Sequence, residues 1–145
     1  MNPQIKFLLV EDNELDAERI NRTLKKLALD NPVIRARDGI EALEILRGQN
    51  GKVKLTQPYI VLLDLNMPRM SGIEFLRCLR NDSQLKNAYV YVLTTSDRNR
   101  DVVTASQYQA AGYIVKDLTK KKVIHTFELT LRHILTSCQK LYKQY

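Results

Sequence analysis

The stretch Tyr59-Ile60-Val61-Leu62-Leu63-Asp64-Leu65-Asn66-Met67-Pro68 decides the fold. Its unbroken apolar run, Tyr59 to Leu63, reads as a central parallel strand buried on both faces. It is far shorter than the roughly 20 residues a membrane span needs. An acid, Asp64, stops it, and Pro68 to Gly72 forms a turn in which Ser71 can cap a helix carrying Ile73, Leu76 and Leu79. Working outward, strands and helices alternate. Ile5 to Val10 reads as a strand. From Asn13, the residues Leu15, Ile20, Leu24 and Leu27 recur among charges at helical spacing, and Pro32 ends that helix. Val33 to Ala36 is a second strand, Asp38-Gly39 a turn, and Ile40, Leu43 and Leu46 line a short helix. Gly48 to Pro58 is a polar loop. Ala88 to Leu93 is a fourth strand, Asp97 to Ala110 an exposed helix, Gly112 to Val115 a fifth strand, and Lys120 to the C-terminus a long helix. Five such units predict a doubly wound α/β sheet covered on both faces.

Composition agrees. At 145 residues, 44% hydrophobic and 27% charged, the chain fits one globular domain. Cys78 and Cys138 have no C-x-x-C spacing, and the N-terminus carries no charged-then-apolar leader, so the chain reads as cytoplasmic, with no membrane segment. The net charge of +7 would suit nucleic acid, yet no recognition motif accompanies it, and residues 11–18 hold five acids. In an open α/β sheet the ligand lies beyond the carboxyl ends of the strands. Glu11 and Asp12 follow the first strand, Asp64 the third, Thr94, Thr95 and Ser96 the fourth, and Lys116 the fifth. The second supplies only Arg37 and Asp38, with no matching chemistry.

Carboxylates meeting at one edge repel, and a hard divalent cation with oxygen ligands removes the conflict; Mg²⁺ keeps several waters beside one or two carboxylates. Lys116 adds a compact positive charge, and the Thr94 hydroxyl can donate to a phosphoryl oxygen. This is equipment for phosphoryl transfer to a carboxylate, where positioning and charge neutralisation dominate. Asp64, after the most buried strand, is the candidate acceptor.

Leu8-Leu9-Val10-Glu11-Asp12-Asn13, Leu62 to Pro68, Val92-Leu93-Thr94 and Gly112-Tyr113-Ile114-Val115-Lys116, with Arg37-Asp38-Gly39 before Glu41-Ala42-Leu43, resemble the response-regulator receiver domain of two-component signalling. The resemblance covers about residues 5–138. It implies a flavodoxin-like sheet of order 2-1-3-4-5 with five helices. It implies that Asp64 accepts a phosphoryl group from the phosphohistidine of a histidine kinase. Glu11, Asp12 and Asp64 would hold Mg²⁺, for which Mn²⁺ can substitute, together with the Asn66 backbone carbonyl. Lys116 would pair with the phosphoryl group, with Thr94 as switch hydroxyl and Tyr113 as the aromatic that changes rotamer. The chain would then catalyse only its own phosphorylation and dephosphorylation. The loop Gly48 to Gln57 and the run Leu93-Thr94-Thr95-Ser96 are similar to those of stand-alone receivers partnering phytochrome-type photoreceptor kinases.

One position departs from the pattern. Receivers usually carry a proline after the lysine, often cis, and here Asp117 follows Lys116. A cis bond before a non-proline costs about 2.5–4 kcal/mol, so the trans form is expected. Two other readings stand beside the receiver. An aspartate-nucleophile phosphohydrolase needs a second acid where Asn66 stands. A constitutive, phosphorylation-independent binding module finds its hint in Asp117. Residues 1–145 read as a single receiver domain with no effector after it, so output would be a protein contact. The last helix repeats Ile124, Phe127, Leu131, Ile134, Cys138 and Leu141 at coiled-coil spacing. The first three read as packing on the sheet. The extension past the usual end, about 138–145, would overrun it and serve partner docking or a homodimer formed through the last strand and helix.

Overall fold

The computed structural model describes residues 4–26, 30–65, 67, 69–94, 99–115 and 128–136. Lys116, Asp117, Asn66, Thr95, Ser96 and the segment 138–145 lie outside the described residues.

The chain alternates as β1 (Lys6–Val10), α1 (Glu14–Lys26), β2 (Val33–Ala36), α2 (Gly39–Arg47), β3 (Tyr59–Asp64), α3 (Gly72–Asn81), β4 (Tyr89–Thr94), α4 (Asn99–Gln107) and β5 (Gly112–Val115). A fifth helix, α5, is seen at 128–136. All neighbouring strands are parallel, and the order is β2-β1-β3-β4-β5, a flavodoxin-like arrangement. Every residue of β3 is buried, as its apolar run requires of a middle strand.

Alternation along the strands sorts the core into two layers. Leu8, Val10, Val61, Leu63, Val90 and Val92 pack with α2, α3 and Ala105 of α4. Phe7, Leu9, Ile60, Leu62, Leu93 and Ile114 pack with Ala17, Ile20 and Leu24 of α1 and with Leu131, Ile134 and Leu135 of α5. Ile134 therefore joins Leu131 as packing on the sheet.

Several expectations are corrected. Leu15 is 57% exposed, because the buried face of α1 runs through Ala17, Ile20 and Leu24. Ile40, at the start of α2, is exposed, and that helix buries Ala42, Leu43, Ile45 and Leu46. Asp64 and Thr94 close their strands and do not follow them. The polar loop after α2 is ordered by Gly48, whose left-handed backbone ends the helix, and by Leu55, which is buried and donates its N–H to Ile45.

Arg80 of α3 ties the far end of the sheet together. Its guanidinium donates to the carbonyls of Tyr108 (2.8 Å), Lys86 (2.8 Å), Ala88 (2.7 Å) and Gln109 (3.0 Å). Burial lowers its pKa from the ordinary guanidinium value, an effect that the charge of Tyr59 opposes, and the side chain remains a cation at neutral pH. The segments before β4 and after α4 thus share one donor. Arg80→Gln is expected to lose about 2 kcal/mol, because several carbonyls lose a charged partner. Urea unfolding with an unchanged slope checks this.

Candidate functional site

The carboxyl ends of β1 and β3 build the site. Val10 pairs with Leu63, so the next residues, Glu11 just past β1 and Asp64 closing β3, stand as neighbours. Both side chains are buried, Glu11 at 0% and Asp64 at 5% exposure. A buried carboxyl group either finds a partner for its charge or gives the charge up. Asp12 is more open to solvent. One carboxylate oxygen each from Glu11, Asp12 and Asp64 lie within 4.8 Å of one another.

The turn that carries the first two acids is held locally. The N–H of Asn13 donates to a Glu11 carboxylate oxygen at 3.3 Å, and the Asn13 side chain caps α1 through the N–H of Asp16. From the β2 side, the Glu11 N–H donates to Ala36, and the Arg35 guanidinium meets the carbonyls of Glu11 and Asp12. Strand β2, read from sequence as lacking matching chemistry, thus reaches the site through a residue inside the strand. A side chain bonding to distant carbonyls leaves no signature in residue spacing, so nothing in the sequence pointed to it.

The loop from β3 to α3 is equally tied. Ser71 caps α3, accepting from the Glu74 N–H, as its sequence position suggests. Arg69 adopts a left-handed backbone and pairs with Asp38 at 2.6 Å. Asp38 also caps α2 by accepting from the Glu41 N–H at 2.8 Å, so one carboxylate joins the start of α2 to the loop beyond Asp64. Gly72 packs against the strand end itself. A Cβ there would lie 2.6 Å from the Asp64 carbonyl oxygen and 2.6 Å from the Leu65 Cα.

Thr94 closes β4 in register with Val115, which places it at the same edge of the sheet as Asp64. Tyr113, on the edge strand β5, is 51% exposed, and a small cavity of about 30 Å³ lies beside it among Val92, Ala105, Ser106, Ala110 and Gly112. Tyr108 is half-buried against the core. Cys78 packs partly buried as a small apolar residue.

The donor set is three hard oxygens, the kind Mg²⁺, Mn²⁺ and Ca²⁺ prefer. Three such oxygens within 4.8 Å of one another are a donor set that fits such a cation.

Comparison with known proteins places these features. The sequence model of the response regulator receiver domain matches residues 7–128. The response regulator Rcp1 of Synechocystis sp. is 34% identical over 120 residues, 83% of this chain and 82% of Rcp1. The crystal structure of the Mn²⁺-bound form of Rcp1 superposes with a TM-score of 0.74 at 32% identity, covering 87% of this chain and 90% of that one. That of the phosphorylated cyanobacterial phytochrome response regulator RcpA gives 0.74 at 28% identity, covering 97% and 94%.

Gly72→Ala is expected to cost about 1–3 kcal/mol, because the new methyl meets backbone that cannot yield without moving the strand end. Thermal unfolding compared with the parent checks the loss.

Proposed function

The chain belongs to the response regulator receiver domain family, and from that premise we propose that it is a phosphorylation-controlled switch with Asp64 as phosphoacceptor. The observation that carries the reading is Asp64 itself, buried at the end of the middle strand with oxygens of Glu11 and Asp12 within 4.8 Å.

In this reading the Asp64 carboxylate attacks the phosphorus of a kinase phosphohistidine in line with the departing imidazole. The P–N bond breaks, and an aspartyl phosphate forms. Glu11, Asp12, Asp64 and the Asn66 backbone carbonyl would hold Mg²⁺, or Mn²⁺ in its place, which when bound neutralises charge on the transferring oxygens. The Lys116 ammonium pairs with a phosphoryl oxygen, and the Thr94 hydroxyl donates to another. Drawing Thr94 toward the phosphoryl group frees space behind it, and the half-exposed Tyr113 turns inward. The chain acts on itself and on no separate substrate.

Similarity to a phytochrome response regulator supports a phytochrome-type photoreceptor histidine kinase as donor. Output then passes through protein contacts. Tyr113 of β5 and Leu129 of α5 are each more than half exposed, and such apolar side chains suit a partner or a second copy docking on the last strand and helix. The single receiver domain is proposed to span 1–145 and to work in the cytoplasm. Among the described residues no helix is long and apolar enough to cross a membrane.

Intact mass after incubation with acetyl phosphate and Mg²⁺ tests the assignment. The parent is expected to gain one phosphoryl group, and Asp64→Asn and chelator-treated parent none. Equal labelling of Asp64→Asn, or steady turnover of a small phosphate ester, would overturn it. Millimolar Mg²⁺ is also expected to raise the thermal midpoint of the parent by linkage, and to leave that of Asp12→Asn and Asp64→Asn nearly unchanged.

A further inference from the structure

Arg35 lies on the edge strand β2, and its side chain is only 21% exposed. Its Nε and Nη2 donate to the Glu11 carbonyl oxygen at 3.2 and 3.0 Å, and Nη2 also reaches the Asp12 carbonyl at 3.4 Å. Its Nη1 meets the Glu14 carboxylate at 2.7 Å. On the preceding peptide, the Glu11 N–H donates to the Ala36 carbonyl at 3.0 Å.

These bonds have a common effect. The ladder between β1 and β2 ends at Val10 opposite Ala36. The Ala36 carbonyl extends it by one bond, and the Arg35 guanidinium then takes the place of the next strand residue. Both backbone polar groups of Glu11 are thereby fixed from β2. With the peptide planes after Glu11 and Asp12 held, the Cα–Cβ bonds of both acids are aimed, and their carboxylates converge on Asp64. A planar guanidinium can serve two carbonyls and a carboxylate together, which an ammonium on a flexible stem does poorly. The positive charge would by itself repel a cation, and Glu14 offsets it in part, since Arg37 reaches the same carboxylate at 3.9 Å.

We propose that Arg35 is a positioning residue for the divalent-cation site, fixing Glu11 and Asp12 through their backbone carbonyls without touching the ion. This rests on the reading of that site as a cation site. Groups that orient metal ligands typically change affinity by about tenfold or more when lost.

The test is calorimetric titration of the full chain with Mn²⁺. The combined Arg35→Gln and Glu14→Gln variant keeps the net charge, so Coulombic changes largely cancel. It is expected to raise the Mn²⁺ Kd about tenfold. Arg35→Lys keeps the fold more surely and is expected to recover only part of the affinity. Arg80→Gln loses a comparable set of carbonyl bonds at the far end of the sheet. It is expected to lower stability and leave the Mn²⁺ Kd at the parent value, which separates positioning from general weakening. In labelling with acetyl phosphate, the Mg²⁺ concentration for half-maximal rate should rise with the Kd, while the rate at saturating Mg²⁺ stays within about twofold. Parent-like or tighter Mn²⁺ binding by both folded Arg35 variants would overturn the proposal. Failure of the parent itself to bind Mn²⁺ would instead remove the cation-site reading, and this inference with it.

Discussion

The register of β1 against β3 is the constraint on which the rest depends. Val10 opposite Leu63 makes Glu11 and Asp64 neighbours where the two strands end. A slip of one residue would turn every buried side chain of β1 to the other layer. The two core layers forbid that slip, since Phe7 and Leu9 are fitted beneath α1 and α5 while Leu8 and Val10 are fitted beneath α2 and α3. Hydrophobic packing along the whole strand thus fixes the separation of two carboxylates at its tip. The site is costly in isolation, for it gathers like charges in a buried place. The sheet can hold it because the apolar burial behind it is extensive.

A second level of order comes from polar groups that join loops. Asp38 serves the first turn of α2 and the Arg69 guanidinium at once. Gly72 lets α3 begin in contact with the end of β3. Arg35 and Ala36 hold the first acidic turn from the opposite side. Each tie joins two elements at the carboxyl edge, so the loops around Asp64 are supported on both flanks. Arg80 does the equivalent work at the amino edge. Donors that bridge several carbonyls stand at both ends of the sheet.

The strands were legible because a continuous apolar run has few other readings at this length, and Tyr59 to Leu63 shows it most plainly. The acids were legible because the end of a parallel strand is a defined place, and Glu11, Asp12 and Asp64 stand there. The misread positions share a cause. Leu15 fits a helical period that Ala17, Ile20 and Leu24 fit better, and only the direction of the sheet decides which stripe is inside. Leu55 sits in a segment whose composition reads as loop, and its burial comes from α2. Arg35 and Arg80 act through backbone carbonyls far along the chain, and carbonyls are the same in every sequence. Periodicity reports which face of an element is apolar; it carries no record of where a long polar side chain ends.

Strand β2 has one further consequence, for colloidal behaviour. It is a sheet edge four residues long, with partly exposed faces. Exposed edges offer unpaired backbone groups to other chains, and shortness and positive charge are the usual defences. The strand itself is short, and Arg37 just beyond its end adds an exposed guanidinium. The strand that braces a functional loop is therefore also guarded against growing by addition of a foreign strand.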